Sequence, residues 1–165
     1  GADGLAPFIE SARRTGKGIF VIVRTSNPSA AEVQDFTDRQ GKRFYEHLAE
    51  QVASIGNGEG LIGEKGYSCI GAVVGATYPA EVQQLRRVMP RQIFLLPGYG
   101  AQGATAKDCL GGFRSDKTGA IVSASRSVIY AYQQERFATI HWKDAIAQAA
   151  RDLADDIRQT LDSEM

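Results

Sequence analysis

Gln92-Ile93-Phe94-Leu95-Leu96 runs directly into Pro97-Gly98-Tyr99-Gly100-Ala101-Gln102-Gly103. The first segment is an apolar run of strand length, the second is a loop of small residues, and Thr105 to Leu110 beyond it has the pattern of a helix. One strand later the chain reads Ser123-Ala124-Ser125-Arg126. A loop that exposes backbone N–H groups, with a guanidinium one strand on, supplies what a phosphate monoester needs: several donors and one charge that does not titrate.

Working outward, the same strand, loop and helix unit recurs. Leu5 to Arg14 has helical spacing, with Asp3 or Gly4 as N-cap and Gly16 as its stop. The strand Gly18 to Val23 is apolar without alternation, the pattern of a parallel strand covered on both faces. Arg24-Thr25-Ser26-Asn27-Pro28 ends it, and a helix from Ser29 is interrupted near Gly41 and resumes from Phe44 to Ile55. A glycine-rich connection over Gly56 to Gly66 precedes a second strand, Cys69 to Ala76, and a helix from Pro79 to Met89. The helix after the glycine loop ends at Gly111-Gly112; the fourth strand is Ala120 to Ala124, and Tyr130 to Leu161 reads as largely helical with a break over Phe137 to His141. Strands alternating with helices at this spacing imply right-handed βαβ units and a parallel sheet in one domain. The opening helix lacks a preceding strand, and four strands apolar on both faces leave two bare edges. The chain reads as the back half of a larger sheet.

The totals narrow the function classes. The 165 residues carry nineteen basic and nineteen acidic side chains, scattered, so no basic stripe announces nucleic acid. No membrane span or signal peptide is expected, and Cys69 and Cys109 lie far apart, as small buried hydrophobes of a reducing compartment would. His47 and His141 have no acid–base partner at recognisable spacing and suggest no metal site. Gly98-x-Gly100-x-x-Gly103 formally matches the dinucleotide fingerprint, with Arg126 available to a 2′-phosphate, so an NADP-dependent oxidoreductase is one alternative. Ser26 or Asn27 could equally cap the helix that follows them, and Thr77-Tyr78 make a turn before Pro79.

Four segments in order carry a resemblance: Val23-Arg24-Thr25-Ser26-Asn27-Pro28, Val73-Val74-Gly75-Ala76-Thr77-Tyr78-Pro79, Leu96 to Gly103, and Ser123 to Tyr130. Each follows a strand, and together they resemble the long bacterial subfamily of orotidine 5′-phosphate decarboxylases. The resemblance implies an α/β fold, the C-terminal half of a TIM (β/α)₈ barrel with strands five to eight and helices four to eight, so that residues 1–165 form one domain needing an N-terminal half. It implies conversion of orotidine 5′-phosphate to UMP in pyrimidine synthesis, with Gln102 and Arg126 on the phosphate, Gly103 in the phosphate loop, Ser26 against the pyrimidine, and Pro97 and Tyr99 in the pocket wall. No catalytic residue is expected in this chain. The family's D-x-K-x-x-D cluster has no counterpart, since Lys17, Lys42, Lys65, Lys107, Lys117 and Lys143 all lack that context. The resemblance further implies no metal or organic cofactor, a homodimer, and a cytoplasmic location. A half-barrel that binds a phosphate or nucleotide without catalysis and closes by self-association is the second alternative.

Overall fold

A computed structural model describes residues 1–165. The chain runs α1 (Ala2–Thr15), β1 (Ile19–Arg24), α2 (Ala31–Gln34), α3 (Phe44–Gly56), β2 (Ile70–Val74), α4 (Pro79–Val88), β3 (Phe94–Pro97), α5 (Ala106–Cys109), β4 (Ala120–Ser123), α6 (Arg126–Ile129) and α7 (Trp142–Glu164). The four strands are parallel and lie in the order β1-β2-β3-β4, so neighbours in sequence are neighbours in space. A dinucleotide-binding sheet reverses its strand order at the ligand crevice. This sheet does not reverse, and the glycine loop follows its third strand instead of its first.

Pairing and strand alternation assign the side chains to two faces. Val23, Ala72, Val74, Phe94 and Leu96 point toward the helices and are fully buried with Tyr45, Ala49 and Val52 of α3 and Val82 and Leu85 of α4. The opposite face is open: Phe20 is 44%, Ile22 58% and Ile121 50% exposed. Phe20 pairs with Gly71 and lies over it, where an added Cβ would come within 2.6 Å of the ring. The strands are therefore covered on one face, not on both as their apolar runs suggest. Helices α1, α3, α4, α5 and α7 pack on the same side, and nothing in the chain forms a second layer on the other.

Element ends follow local chemistry. Gly16 closes α1 in the left-handed conformation at φ 66°, as expected, but α1 starts at Ala2 without a side-chain cap from Asp3. Helix α5 has a single turn and tightens into a 3₁₀ turn over Leu110–Gly112, because Gly111 meets Gln83 and Gly112 meets Leu96 at distances that leave no room for a side chain. The helix expected from Tyr130 is replaced by α6 and two 3₁₀ turns, Ala131–Gln133 and Glu135–Phe137. Ala131 and Phe137 pack there against Ala145 and Ala149 of α7, folding the segment into a corner. His141 caps α7, its ring accepting from the Lys143 amide at 3.4 Å. No helix is long and apolar enough to cross a membrane.

Candidate functional site

The C-terminal ends of all four strands lie at one end of the sheet, and Gly98 is where their loops meet. Its φ of 115° is closed to ordinary side chains, and a Cβ there would stand 3.2 Å from Thr77 Cγ2 and 3.4 Å from both Gln102 Oε1 and Ser26 Cβ. Gly75 is as constrained, since a Cβ would reach 2.7 Å from the Ser26 backbone, and Thr77 Oγ1 donates to the Ser26 carbonyl at 3.2 Å. Loops from three strands are thereby held within contact of one another.

Two adjoining clefts open on this rim. The first, of about 230 Å³, is lined by Pro97, Tyr99, Gln102, Ser125 and Arg126 among others; the second, of about 390 Å³, by Ser26, Thr77, Tyr78, Gln102 and Arg126 among others. Gln102 and Arg126 belong to both. Arg126 is exposed and enters none of the protein's ion pairs or side-chain hydrogen bonds, in contrast to the surface ion pair that is an arginine's common fate. Asn27 stands at the N-cap position of the 3₁₀ turn Pro28–Ala30 but makes no capping bond, its amide donating instead to Ser29 Oγ at 2.7 Å. The side chain of Ser26 makes no capping bond either, which leaves it free to line the cleft.

The glycine loop spends part of its backbone on itself. The amides of Gly100, Ala101, Gly103 and Ala104 donate to the carbonyls of Ala104, Tyr99, Gly100 and Gly98, while those of Gly98, Tyr99 and Gln102 have no acceptor within the protein. Gly103 belongs to the turn of the loop itself. Its N–H is committed, it lines neither cleft, and its φ of 93° makes it the pivot of the turn. Tyr99 lines the first cleft and also anchors the loop: its hydroxyl donates to Asp156 Oδ2 of α7 at 2.7 Å, and burial together with that carboxylate pushes its pKa up to about 12. Ser127 Oγ is buried without a partner, and a Cβ at Gly100 would come within 3.0 Å of it.

Beneath this rim sits a residue that sequence reasoning passed over. Arg24 ends β1 and is 1% exposed. The register slips between Ile22 and Arg24, and the resulting irregularity turns Arg24 toward the helices. There its guanidinium lies between the rings of Tyr45 (4.8 Å) and Tyr78 (4.4 Å). It donates to Glu81 at 2.7 Å, and its Nη1 lies 2.9 Å from Asp35 Oδ1, out of hydrogen-bond alignment. Glu81 also takes Arg43 at 3.1 Å. The only sequence signal was a charge ending an apolar strand. His47 of α3 is a satisfied helix histidine, pairing with Asp38 at 2.7 Å beside the hairpin that brings Thr37 back to Arg43. Backbone donation from Lys42 leads the causes that hold the Asp38 carboxyl below its ordinary pKa. Cys109 is fully buried and burial pushes its thiol up to about 12, which leaves it inert, whereas Cys69 is only half-buried.

A singly wound parallel βα sheet whose functional rim is built from the loops at its strands' C-terminal ends belongs to the (β/α)-barrel class. Residues 1–139 match the model of the orotidine 5′-phosphate decarboxylase / HUMPS family. The chain belongs to that family. It is 38% identical over 162 residues to the orotidine 5′-phosphate decarboxylase of Rhodopirellula baltica, covering 96% of this chain and 53% of that one. Identity to the Deinococcus radiodurans enzyme of the same name is 47% over 131 residues, 79% of this chain and 46% of the other. Among solved structures it superposes on Leishmania donovani UMP synthase with a TM-score of 0.76 at 30% identity, covering 99% of this chain and 32% of that one. For Leishmania donovani OMP decarboxylase the TM-score is 0.74 at 28% identity, covering 99% and 54%. The chain spans about half the length of the relatives it matches, and its sheet is a part of a TIM barrel.

Proposed function

We propose that this chain supplies the phosphate- and pyrimidine-binding part of an orotidine 5′-phosphate decarboxylase, acting on orotidine 5′-phosphate to give UMP and carbon dioxide. The observation that carries the reading is the unpaired Arg126 guanidinium sharing two clefts with the Gln102 amide, beside a loop with free backbone N–H groups. In this reading the phosphate dianion lies against Arg126 and Gln102, and the base lies toward Ser26, whose hydroxyl reads its amide edge. Pro97 and Tyr99 form the wall. The half-barrel requires an N-terminal half that brings the D-x-K-x-x-D cluster and covers Phe20, Ile22 and Ile121, and the completed enzyme pairs as a homodimer in the cytoplasm. The remote phosphate grip lowers the barrier at the ring because its binding energy holds the substrate carboxylate in the desolvated site.

In the completed enzyme Arg126→Ala is expected to lower kcat/KM by roughly 10²- to 10³-fold, the scale of losing a charged hydrogen-bonding partner of the transition state. Unchanged kcat/KM would overturn the assignment. The open sheet face favours one further reading, in which two copies of this chain cover each other and bind a nucleotide without catalysis. A stable dimer of the isolated chain in sedimentation, with UMP binding and no decarboxylation on adding an N-terminal half, would select it.

A further inference from the structure

At the end of the sheet opposite the candidate site, the loops entering β2, β3 and β4 and the last turn of α4 enclose a cleft of about 640 Å³. Four of its lining residues are cations, Lys65, Arg86, Arg91 and Arg114, and none is acidic. Arg86 forms its floor and is buried. All five of its N–H groups are used on carbonyls: Gly112 twice, Met89, Gln92 and Gly119, at 2.6 to 2.9 Å. Its guanidinium also stacks on Phe94 at 3.7 Å. Carbonyl dipoles solvate this charge but do not neutralise it, and buried charges are as a rule paired. The only carboxylate in ion-pair range of the cleft's cations is Asp116, 3.6 Å from Arg114. Burial, with Arg114 adding to it, pushes the Arg86 pKa down to about 10, so the group remains charged and its field reaches the cleft.

We propose that this cleft binds a multivalent phosphoryl anion, with Lys65, Arg91 and Arg114 as its direct partners and Arg86 as the fixed charge beneath. Lys65 and Arg91 make no ion pair within the protein, so both can turn to a ligand at no cost in existing contacts. The hydroxyl of Ser115, beside Arg114 on the rim, adds a donor suited to a phosphate oxygen. Arg86 itself has no N–H left to give, so its part is electrostatic, and a bound anion supplies the counter-charge that the carbonyls cannot. A ligand with more than one negative charge fits best because three accessible cations line the same cleft. The site is separate from the Gln102–Arg126 clefts, which lie at the other end of every strand.

The test is calorimetric titration with inorganic pyrophosphate and, in a second arm, metal-free ATP, combined with amide chemical-shift mapping. Saturable binding of pyrophosphate at this cleft is expected, with shifts centred on Lys65–Gly66 and Arg114–Ser115. Affinity should fall roughly tenfold or more in Arg91→Glu and in Lys65→Glu, both at exposed positions, the scale of one lost charge-assisted hydrogen bond. It should not change in Arg126→Ala, nor in Arg87→Glu, which alters an exposed cation of α4 outside the cleft. Equal affinity for ATP assigns the site to the phosphoryl chain alone, and tighter ATP binding adds the nucleoside to the ligand. No saturable binding, equal loss in Arg87→Glu, or loss in Arg126→Ala alone would overturn the proposal.

Discussion

The two ends of the sheet each bury an arginine, and they stabilise it by opposite means. At the C-terminal end Arg24 is held by the carboxylates of Glu81 and Asp35 between two tyrosine rings. At the N-terminal end Arg86 has no carboxylate partner and is held by carbonyl oxygens and the face of Phe94. Arg24 ties the strand β1 to α4 through Glu81 and to the loop before α3 through Asp35, behind the very segments that present Ser26 and Tyr78. Arg86 ties the turn after α4 to the connection between α5 and β4, at the end of the sheet where a barrel invests in stability. Charge pairing fixes the loops at one end relative to one another, and dipole solvation at the other closes backbone otherwise left unsatisfied.

The largest effect is expected at Arg86. Arg86→Met would strand four carbonyl groups in a buried place and should cost roughly 3–5 kcal/mol in denaturant unfolding. No single further substitution can restore it, because backbone carbonyls cannot be removed. Arg24→Met comes next, at roughly 2–4 kcal/mol, because it leaves Glu81 and Asp35 without their buried partner while Arg43 still reaches Glu81. Here a rescue is expected: Glu81→Gln on the Arg24→Met background should recover a measurable part, since the penalty is the stranded charge. A double-mutant cycle with no recovery would erase the contrast between the two ends.

Smaller again is the tether of the glycine loop. Tyr99→Phe removes the hydroxyl bond to Asp156 and should cost about 1 kcal/mol. The raised pKa of Tyr99 fixes its pH dependence. The stability from this bond is fully present below the ordinary tyrosine value near 10 and is lost as pH rises through about 12. Wild type and Tyr99→Phe should therefore converge in stability as pH passes through that range, and a gap that stays constant would show that the hydroxyl plays no part.

Much of this arrangement was legible from residue order. The four strands, the helices over Phe44–Gly56 and Pro79–Val88, and the glycine turn all follow from local apolar runs and from Gly and Pro as punctuation. The family resemblance paired Gln102 with Arg126, and parallel strands put the loops beyond their C-terminal ends on one rim. What was not legible depends on contacts across long sequence separation. Arg24 looked like a strand terminator because its partner Glu81 lies 57 residues away, and Arg86 drew no notice because its acceptors are backbone, which leaves no mark in a sequence. The apolar runs of β1 and β4 promised two covered faces, yet a run records only what a face is built to meet, and this chain contains the partner for one.

The central claim is that Arg126 and Gln102 grip a phosphate dianion, and it is tested most directly by comparing UMP with uridine by calorimetry on the completed enzyme, in wild type and in Arg126→Ala. UMP should bind at least roughly 10²-fold more tightly than uridine to the wild type, and most of that preference should vanish in Arg126→Ala while uridine affinity holds. An undiminished preference for UMP in Arg126→Ala would contradict the account.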